Sequence, residues 1–260
     1  MTEPFLYLKH PLFDATILRQ GAQLIHFQPH GKKPFLWHAD VTTYQKGKAF
    51  RGGIPICWPW FGKAAVPSHG FARLVEWTLS SQKESDEGVE LHFELKDSAF
   101  TKTVWPYAFC ATLIMKLGND IRMEFLVDAK HTSTVALHTY FACSNIHDVR
   151  IQGLGSCYQD ALQEGLVCEE SSASLSIAHA VDRIYTEPKN TLFIQEGDQT
   201  VTLHQEYCSD AVVWNPWEEG SRTLSDMHAH DYTRMLCVES ARICRPFEKK
   251  DHLFLQISSE

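Results

Sequence analysis

Hydrophobic and polar residues alternate with a period of two along most of the chain, and β-branched and aromatic residues are frequent in the alternating segments. Such alternation is typical of β-strands with one buried face, whereas a helical period is hard to find over more than two turns. The sequence therefore predicts an all-β protein.

Three pairs of alternating segments are joined by short polar turns that contain glycine. The pairs span residues 74–95, 107–129 and 192–204, with turns at 84–88, 118–120 and 196–198. Because turns of this kind connect neighbouring antiparallel strands, each pair is predicted to form a β-hairpin. Further strands are expected near 14–19, 22–28, 133–143, 211–214, 235–243 and 252–258.

No linker rich in proline, glycine or serine divides the chain, so we expect a single domain over residues 1–260. This many strands in one domain require a barrel or two packed sheets, and we expect a large antiparallel β-sandwich with a concave face. The alternation fails at 49–69 and 214–230, where proline, glycine and tryptophan concentrate. These two stretches are the candidate site loops.

The composition narrows the class of protein. Of the 260 residues, 44% are hydrophobic, so a large core forms without disulfides, metals or an obligatory partner, and we expect a monomer. The 24 basic and 32 acidic residues give a formal net charge of −8, which disfavours general binding to nucleic acids or anionic membranes. No apolar run approaches the roughly 18 to 20 residues of a membrane-spanning helix, and no secretory signal pattern is present, so we expect a cytoplasmic protein.

Cysteines and histidines give little support to a metal site. The eight cysteines are scattered without a C-x-x-C pair, and we interpret them as small buried thiols. His228 and His230 have no third candidate ligand nearby, so they are weak support for zinc.

Arg51 opens a segment that cannot be a regular interior strand, because Pro55 and Pro59 donate no ladder hydrogen bonds. An arginine beside Gly52 and Gly53, at the mouth of a rigid segment, suits bidentate recognition of an anion. An ion pair with a carboxylate that braces the loop explains Arg51 equally well.

A second arginine, Arg73, ends the run Ser68-His69-Gly70-Phe71-Ala72-Arg73. If the loop folds back, Arg51 and Arg73 would together balance the roughly −1.5 to −2 charge of a phosphate group. Chance placement of each arginine at the surface is the alternative. His69 could donate a hydrogen bond to a sugar hydroxyl or only pack its ring.

A histidine lies on one face of the strand predicted near 133–143. Alternation puts Val135, Leu137, Thr139 and Phe141 on one face, and Ala136, His138, Tyr140 and Ala142 on the other. The small neighbours leave space above the imidazole of His138. The alternative is a hydrogen-bonded core histidine.

Glu239 stands out because the run around it, 235–241, is otherwise mostly apolar. Burying an unpaired carboxylate costs several kcal/mol, so this residue is paired, exposed or functional. Burial would raise its pKa toward the range of a general base, and His138 with Glu239 would supply two proton-transfer partners. The alternative is a solvent-facing glutamate on an edge strand.

Asp182 and the loop tryptophans complete the candidate residues. Asp182 could accept hydrogen bonds from ligand hydroxyls or form an ion pair with its neighbour Arg183. The tryptophans of the two site loops could stack on a sugar or close the core; they are Trp58, Trp60, Trp214 and Trp217.

The order of these segments along the chain is specific. They are Arg51-Gly52-Gly53-Ile54-Pro55, His69-Gly70-Phe71-Ala72-Arg73, Leu137-His138-Thr139-Tyr140-Phe141, Asp182-Arg183-Ile184-Tyr185, Val212-Val213-Trp214-Asn215-Pro216-Trp217 and Leu236-Cys237-Val238-Glu239. This series resembles the glucose-6-phosphate 1-epimerase family, the hexose-6-phosphate mutarotases of the wider aldose 1-epimerase group.

The resemblance implies an antiparallel β-sandwich of the galactose mutarotase type, the supersandwich, and interconversion of the α and β anomers of a hexose 6-phosphate without cofactor or metal. It implies that His138 is the general acid and Glu239 the general base. The implied substrate contacts are Arg51, Ser68, His69, Arg73 and Asp182. Ser68 departs from the pattern, because this position is often glutamine in the family. The alternatives are a non-catalytic carbohydrate- or sugar-phosphate-binding protein on the same fold and a glycoside hydrolase or lyase. Hydrolysis ordinarily needs two facing carboxylates, whereas this sequence supplies a histidine opposite one carboxylate.

Overall fold

The computed structural model describes residues 3–259, so the first two residues and the last residue of the expected domain lie outside the described residues. Strands dominate the secondary structure. They are β1 (Phe5–His10), β2 (Phe13–Leu18), β3 (Gln23–Pro29), β4 (Ile56–Cys57), β5 (Thr78–Ser85), β6 (Gly88–Lys96), β7 (Phe109–Leu117), β8 (Ile121–Ala129), β9 (Ser133–Leu137), β10 (Tyr140–Ala142), β11 (Val149–Gln152), β12 (Cys157–Asp160), β13 (Leu166–Glu169), β14 (Ser174–Ser176), β15 (Val181–Thr186), β16 (Thr191–Glu196), β17 (Gln199–Glu206), β18 (Asp210–Asn215), β19 (Met235–Phe247) and β20 (Asp251–Ser259).

The strands form three sheets. The smallest has the order β1-β2-β3. The eight-stranded sheet has the order β13-β12-β15-β18-β19-β9-β4, with β10 paired to β19, and the nine-stranded sheet has the order β14-β11-β16-β17-β20-β8-β7-β6-β5. Neighbouring strands pair antiparallel, for example β18 with β19 and β7 with β8. The prediction of an antiparallel all-β protein is confirmed.

The three predicted hairpins are present as β5–β6, β7–β8 and β16–β17. The strand predicted near 133–143 is instead divided into β9 and β10, because the ladder is interrupted at His138 and Thr139. The α-helices are short: α1 spans Ala99–Val104 and α2 spans Trp217–Thr223. Helix α2 occupies part of the stretch 214–230 that the sequence analysis interpreted as irregular, and its two turns are too few to produce a visible period.

One hydrophobic core is shared by all three sheets, with Phe13, Phe125 and Val238 among its members. The predicted division of the segment 135–142 into two faces is confirmed. The side chains of Val135, Leu137 and Phe141 belong to this core, whereas those of Ala136 and Tyr140 belong to small clusters outside it. In β19, Leu236 and Val238 enter the core, so Cys237 and Glu239 lie on the opposite face. We call this opposite face of the eight-stranded sheet the site face.

The cysteines differ in part from the expectation. All eight are free, and only Cys57 and Cys237 are fully buried, while Cys244 is exposed. The prediction of buried thiols is therefore wrong for Cys244, which lies where β19 bulges between Arg242 and Phe247 and leaves its partner strand. Within residues 3–259, no helix combines the length and the apolar character needed to cross a membrane.

Candidate active site

The backbone around His138 is held from both sides. Its N–H donates to the carbonyl of Pro55 at 3.0 Å, and the carbonyl of Thr139 accepts from the N–H of Val238 at 3.2 Å. Strands β4 and β19 thus fix the interruption between β9 and β10. The imidazole consequently lies on the site face at a defined place in the sheet.

His138 and Glu239 form a buried pair. Nε2 of His138 lies 3.3 Å from Oε1 of Glu239, and the exposed fractions of the two side chains are 8% and 1%. The second carboxyl oxygen, Oε2, has no hydrogen-bond partner among residues 3–259. A buried polar atom without a partner is costly, so its presence beside the imidazole is typical of a functional site.

Burial acts on both members of the pair. It raises the pKa of Glu239 well above the usual carboxyl value, and the nearby charge of Asp182 raises it further, while Arg73 opposes the rise. Burial also lowers the pKa of His138 well below the usual imidazole value, with His69, Arg73 and Arg51 acting in the same direction. Both shifts favour the uncharged pair, with a protonated carboxyl group on Glu239 and a neutral imidazole on His138.

Two aromatic rings flank the imidazole of His138. The Tyr140 ring is stacked on it at a centroid distance of 4.7 Å and an interplanar angle of 13°. The His69 ring approaches edge-on, with its centroid 5.7 Å away. These contacts limit the rotation of the imidazole and leave its Nε2 directed to Glu239.

The guanidinium of Arg51 is bound to a carboxylate. Its Nε and Nη2 donate to the two carboxyl oxygens of Asp226 at 3.0 Å each, and its Nη1 donates to the hydroxyl of Tyr140 at 3.0 Å. Its Cζ lies 5.8 Å from the centroid of the Trp214 ring. The bracing ion pair considered for Arg51 is therefore present, and it lies within the site.

The second arginine has a different environment. Nη2 of Arg73 donates to the backbone carbonyl of Ser68 at 3.0 Å, and Nε is buried without a hydrogen-bond partner among the described residues. The hydroxyl of Ser68 donates to the carbonyl of Gly62 at 3.2 Å. Ser68 thus stabilises the loop and orients Arg73 through its carbonyl group.

The loop that carries His69 depends on Gly70. Gly70 has a φ of +69°, and a Cβ atom there would lie 2.1 Å from the carbonyl oxygen of Trp58, so no other residue fits. The N–H of His69 donates to the carbonyl of Gly62 at 2.7 Å. Burial, then the charges of Arg73 and Arg51, lower the pKa of His69 to about 4, so this imidazole is neutral at pH 7.

Asp182 lies on the site face of β15, beside Trp214 of β18. Its expected alternative partner, Arg183, instead binds Glu170 at 3.3 Å. Burial and the charge of Asp160 raise the pKa of Asp182, whereas Lys63 lowers it. The alternative of an ion pair between Asp182 and Arg183 is therefore not realised among residues 3–259.

The structure thus groups His138, Glu239, Arg51, His69 and Arg73 around one site, with Asp182 close enough to influence the charge of Glu239. The tryptophans separate. Trp58 and Trp60 belong to the core, whereas the Trp214 centroid lies 6.3 Å from that of His138.

Two charged residues near the site, Asp226 and Lys63, were not among the residues predicted from the sequence. Asp226 binds Arg51 across 175 positions of sequence, and Lys63 is exposed in the loop after Gly62. Neither interrupts an apolar run, which was the signal that identified Glu239. Their placement in the two irregular stretches was the only indication that the sequence offered.

The sequence model of the aldose 1-epimerase family matches residues 4–250 of the chain. The chain belongs to the aldose 1-epimerase family. A Salmonella typhimurium protein named "Putative glucose-6-phosphate 1-epimerase" is 33% identical over 246 residues, which cover 93% of this chain and 84% of that protein. An Escherichia coli protein of the same name is 33% identical over 241 residues, with 91% and 82% covered.

Solved structures share the fold of this chain. The crystal structure of a Salmonella typhimurium protein described as a "putative mutarotase" has a TM-score of 0.96 and 32% identity, and the match covers 98% of this chain and 90% of that one. A galactose mutarotase related enzyme from Lactobacillus acidophilus shares the fold, with a TM-score of 0.74 at 14% identity. The predicted family and the predicted galactose mutarotase-like sandwich are both confirmed.

Proposed function

We propose that this aldose 1-epimerase interconverts the α and β anomers of a hexose 6-phosphate, with glucose 6-phosphate as the expected substrate. The observation that carries the proposal is the buried contact between His138 and Glu239, an acid and a base within hydrogen-bond distance of each other. The names of the Salmonella and Escherichia relatives support glucose 6-phosphate as the sugar.

Anomer exchange requires the ring oxygen to gain a proton and the C1 hydroxyl to lose one. Glu239 removes the C1 hydroxyl proton while His138 protonates the ring oxygen, and the bond between C1 and the ring oxygen breaks to give the open aldehyde. Rotation about C1–C2 presents the other carbonyl face. Reversal of the two proton transfers then closes the opposite anomer and restores both residues.

The environment of the pair suits these roles. A raised pKa makes the ionised Glu239 a stronger base, and a lowered pKa makes the protonated His138 a stronger acid. Burial favours the uncharged resting form, with the proton on the carboxyl group. The 3.3 Å contact allows this proton to pass to the imidazole and generate the reactive form.

Substrate binding is divided among the polar groups around the pair. Arg73 is the proposed anchor of the phosphate, because it binds only a neutral carbonyl among residues 3–259. Arg51, His69 and Asp182 are proposed to contact the sugar hydroxyls. Ser68 is proposed to contact the substrate as well as to hold Arg73 in place through its carbonyl group.

A non-catalytic binding protein is a poorer explanation of the same site. Such a protein needs the arginines and the aromatic rings, but it gains nothing from a buried carboxyl group with an unpartnered oxygen. Because unpaired burial of a polar group lowers stability, proton transfer is the better reason for Glu239.

The test is exchange NMR on equilibrated glucose 6-phosphate, with free glucose and galactose as comparators. We expect the wild-type enzyme to accelerate anomer exchange and Glu239→Gln to lower the rate by about 10²- to 10⁴-fold, the usual contribution of one general acid or base. Sugar-phosphate binding, followed by calorimetry, should largely survive.

The control variant is Glu206→Gln, which removes a carboxylate from a similar but exposed pair. Oε1 of Glu206 lies 3.1 Å from Nε2 of His204, and these side chains are 46% and 36% exposed. This variant should keep the wild-type rate. Saturable binding with no acceleration by the wild-type protein would instead identify a binding protein.

A further inference from the structure

We propose that Asp226 is a positioning residue for the acid–base pair: it holds Arg51 against Tyr140, and the Tyr140 ring in turn supports the imidazole of His138. The proposal rests on the proposed catalytic role of His138. It assigns a function in the reaction to the loop that follows α2.

The first link is the contact between Asp226 and Arg51. Both carboxyl oxygens accept a hydrogen bond of 3.0 Å from the guanidinium, one from Nε and one from Nη2. A bidentate pair of this kind fixes the plane of the guanidinium as well as its position. The Asp226 backbone is also held, because its carbonyl accepts from the hydroxyl of Thr42 at 3.3 Å.

The second link is the contact between Arg51 and Tyr140. Nη1 donates to the phenol oxygen at 3.0 Å, and the phenol is almost completely buried. A buried tyrosine hydroxyl needs a polar partner, and Arg51 provides it. Because Asp226 fixes the guanidinium plane, it also fixes the direction from which Tyr140 is held.

The third link is the stack of aromatic rings. The Tyr140 ring lies 4.7 Å from the His138 ring at 13°, and 5.9 Å from the Trp37 ring at 26°. The phenol therefore contacts both rings. A shift of its hydroxyl end changes the surface on which the catalytic imidazole rests, and small displacements of a catalytic group cost large factors in rate.

Asp226 also offsets charge near the imidazole. The titratable and charged groups that face His138 are Glu239 on β19, Tyr140 stacked on its ring, His69 and Arg73 in the segment after β4, and Arg51 with its carboxylate partner. The charges of His69, Arg73 and Arg51 lower the pKa of His138, after burial. Loss of the carboxylate from Asp226 leaves Arg51 uncompensated and lowers the pKa of His138 further.

The principal test compares Asp226→Asn with Glu218→Gln by exchange NMR as a function of pH. Glu218 is in α2 of the same segment and forms an ion pair with exposed Arg222, so it matches the loss of one charge. We expect Asp226→Asn to lower kcat about 10- to 100-fold and to move the acid limb of the pH profile to lower pH. Glu218→Gln should leave kcat and the pH profile unchanged.

Further variants distinguish a positioning role of Asp226 from a contribution to folding alone. In a double-mutant cycle with Tyr140→Phe, the two losses should be non-additive, because both variants break the same chain of contacts. Added formate should restore part of the activity of Asp226→Ala. Additive losses without formate rescue, or an unchanged kcat and pH profile in folded Asp226→Asn, would overturn the proposal. If Asp226→Asn does not fold, Asp226→Glu takes its place in the cycle.

A measurement without substrate keeps this proposal distinct from the proposed function. The ring signals of His138 can be followed by NMR titration of the free protein in wild type and Asp226→Asn. A downward shift of its pKa in the variant, absent in Glu218→Gln, supports the link through Arg51 even if the substrate is another sugar. An unchanged titration would remove the link even if the enzyme acts on glucose 6-phosphate.

Discussion

The two arginines of the site differ in the groups that balance their charge. Arg51 donates to both oxygens of Asp226 and to the hydroxyl of Tyr140. Arg73 donates to the carbonyl of Ser68, and its Nε has no partner among the described residues. One guanidinium is built into the protein, whereas the other retains hydrogen-bond donors and charge for a ligand.

The difference between Arg51 and Arg73 determines which positive charge is available for an anion in this acidic protein. If both arginines were free, they could together balance the charge of the phosphate group, which is the arrangement considered from the sequence. Because Asp226 already balances Arg51, the charge available for a dianion lies with Arg73, while Arg51 can act through orientation. We therefore expect Arg73 to select phosphorylated sugars and Arg51 to align the reacting groups.

The largest difference expected between the two arginines is in substrate preference. Arg73→Ala should reduce the preference for glucose 6-phosphate over glucose, the ratio of the two kcat/KM values, by at least about tenfold, because a charged partner of the phosphate is lost. Arg51→Ala should lower both kcat/KM values by similar factors and leave their ratio within about twofold. The measurement is exchange NMR on both sugars. An unchanged ratio in Arg73→Ala would place the phosphate elsewhere.

The next prediction concerns the free energy of unfolding, for which Arg51 is expected to matter more than Arg73. Arg51→Met removes an ion pair whose side chains are 20% and 37% exposed and leaves the buried phenol of Tyr140 unpaired, so we expect a loss of about 1–2 kcal/mol in the free energy of unfolding. Arg73→Met loses one hydrogen bond but also removes a buried unpaired Nε, and the net change should stay within about 0.5 kcal/mol. Urea unfolding of both variants measures the difference. Equal losses would mean that Arg73 is as firmly built in as Arg51.

Glu239, whose pKa is raised by burial and to a lesser extent lowered by the charge of Arg73, gives a prediction about how stability depends on pH. The pKa of Glu239 is raised in the folded state, so its contribution to stability is complete below the unfolded value of 4.5 and is lost as the pH rises through the folded pKa. Each unit of difference corresponds to about 1.4 kcal/mol. Glu239→Gln should therefore unfold at higher urea than wild type at pH 8, and the advantage should shrink toward pH 4.

Guanidinium chloride is unsuitable for this comparison because its ions screen charge, so urea is the denaturant of choice. Glu206→Gln, which alters an exposed pair, is the control and should show little change with pH. Equal unfolding midpoints of wild type and Glu239→Gln from pH 4 to pH 8 would contradict the raised pKa.

Much of the fold could be predicted because the burial of alternate residues in a β-strand is visible in the local sequence. The alternation at 135–142 assigns each residue to a face, and the structure keeps that assignment although the strand is interrupted at His138. Short strands such as β4, with two residues, carry too little alternation to be recognised.

The proposed catalytic pair, His138 and Glu239, could be identified from the sequence for a related reason. Glu239 interrupts an apolar strand, and His138 stands among small residues on the same face of the sheet. A polar residue at a position where the strand alternation requires an apolar one can be recognised from the sequence alone. It is recognisable even when the residue that contacts it in the fold is unknown.

The partners of the two arginines could not be predicted, because their contacts join distant parts of the chain through irregular backbone. Asp226 and Arg51 lie 175 positions apart, and no periodicity relates a loop after α2 to a loop before β4. The sequence offers several carboxylates in 214–230 as equally good candidates. Only the packing of the site face selects Asp226.

The smallest expected effect is a change in the titration of His69. Burial comes first among the causes that lower its pKa to about 4, then Arg73, then Arg51. Removal of either positive charge should move the pKa upward from about 4 toward 6.5, and Arg73→Ala should move it further than Arg51→Ala.

Inorganic phosphate should also raise the pKa of His69 in the wild-type protein, because an anion bound to Arg73 offsets its charge. Phosphate should have little effect on the pKa of His69 in Arg73→Ala. Histidine ring signals in NMR titrations report the change, with Lys250→Ala as the control that removes an exposed cation paired with Asp128. A larger shift in Arg51→Ala, or a phosphate response that persists without Arg73, would reverse the roles of the two arginines.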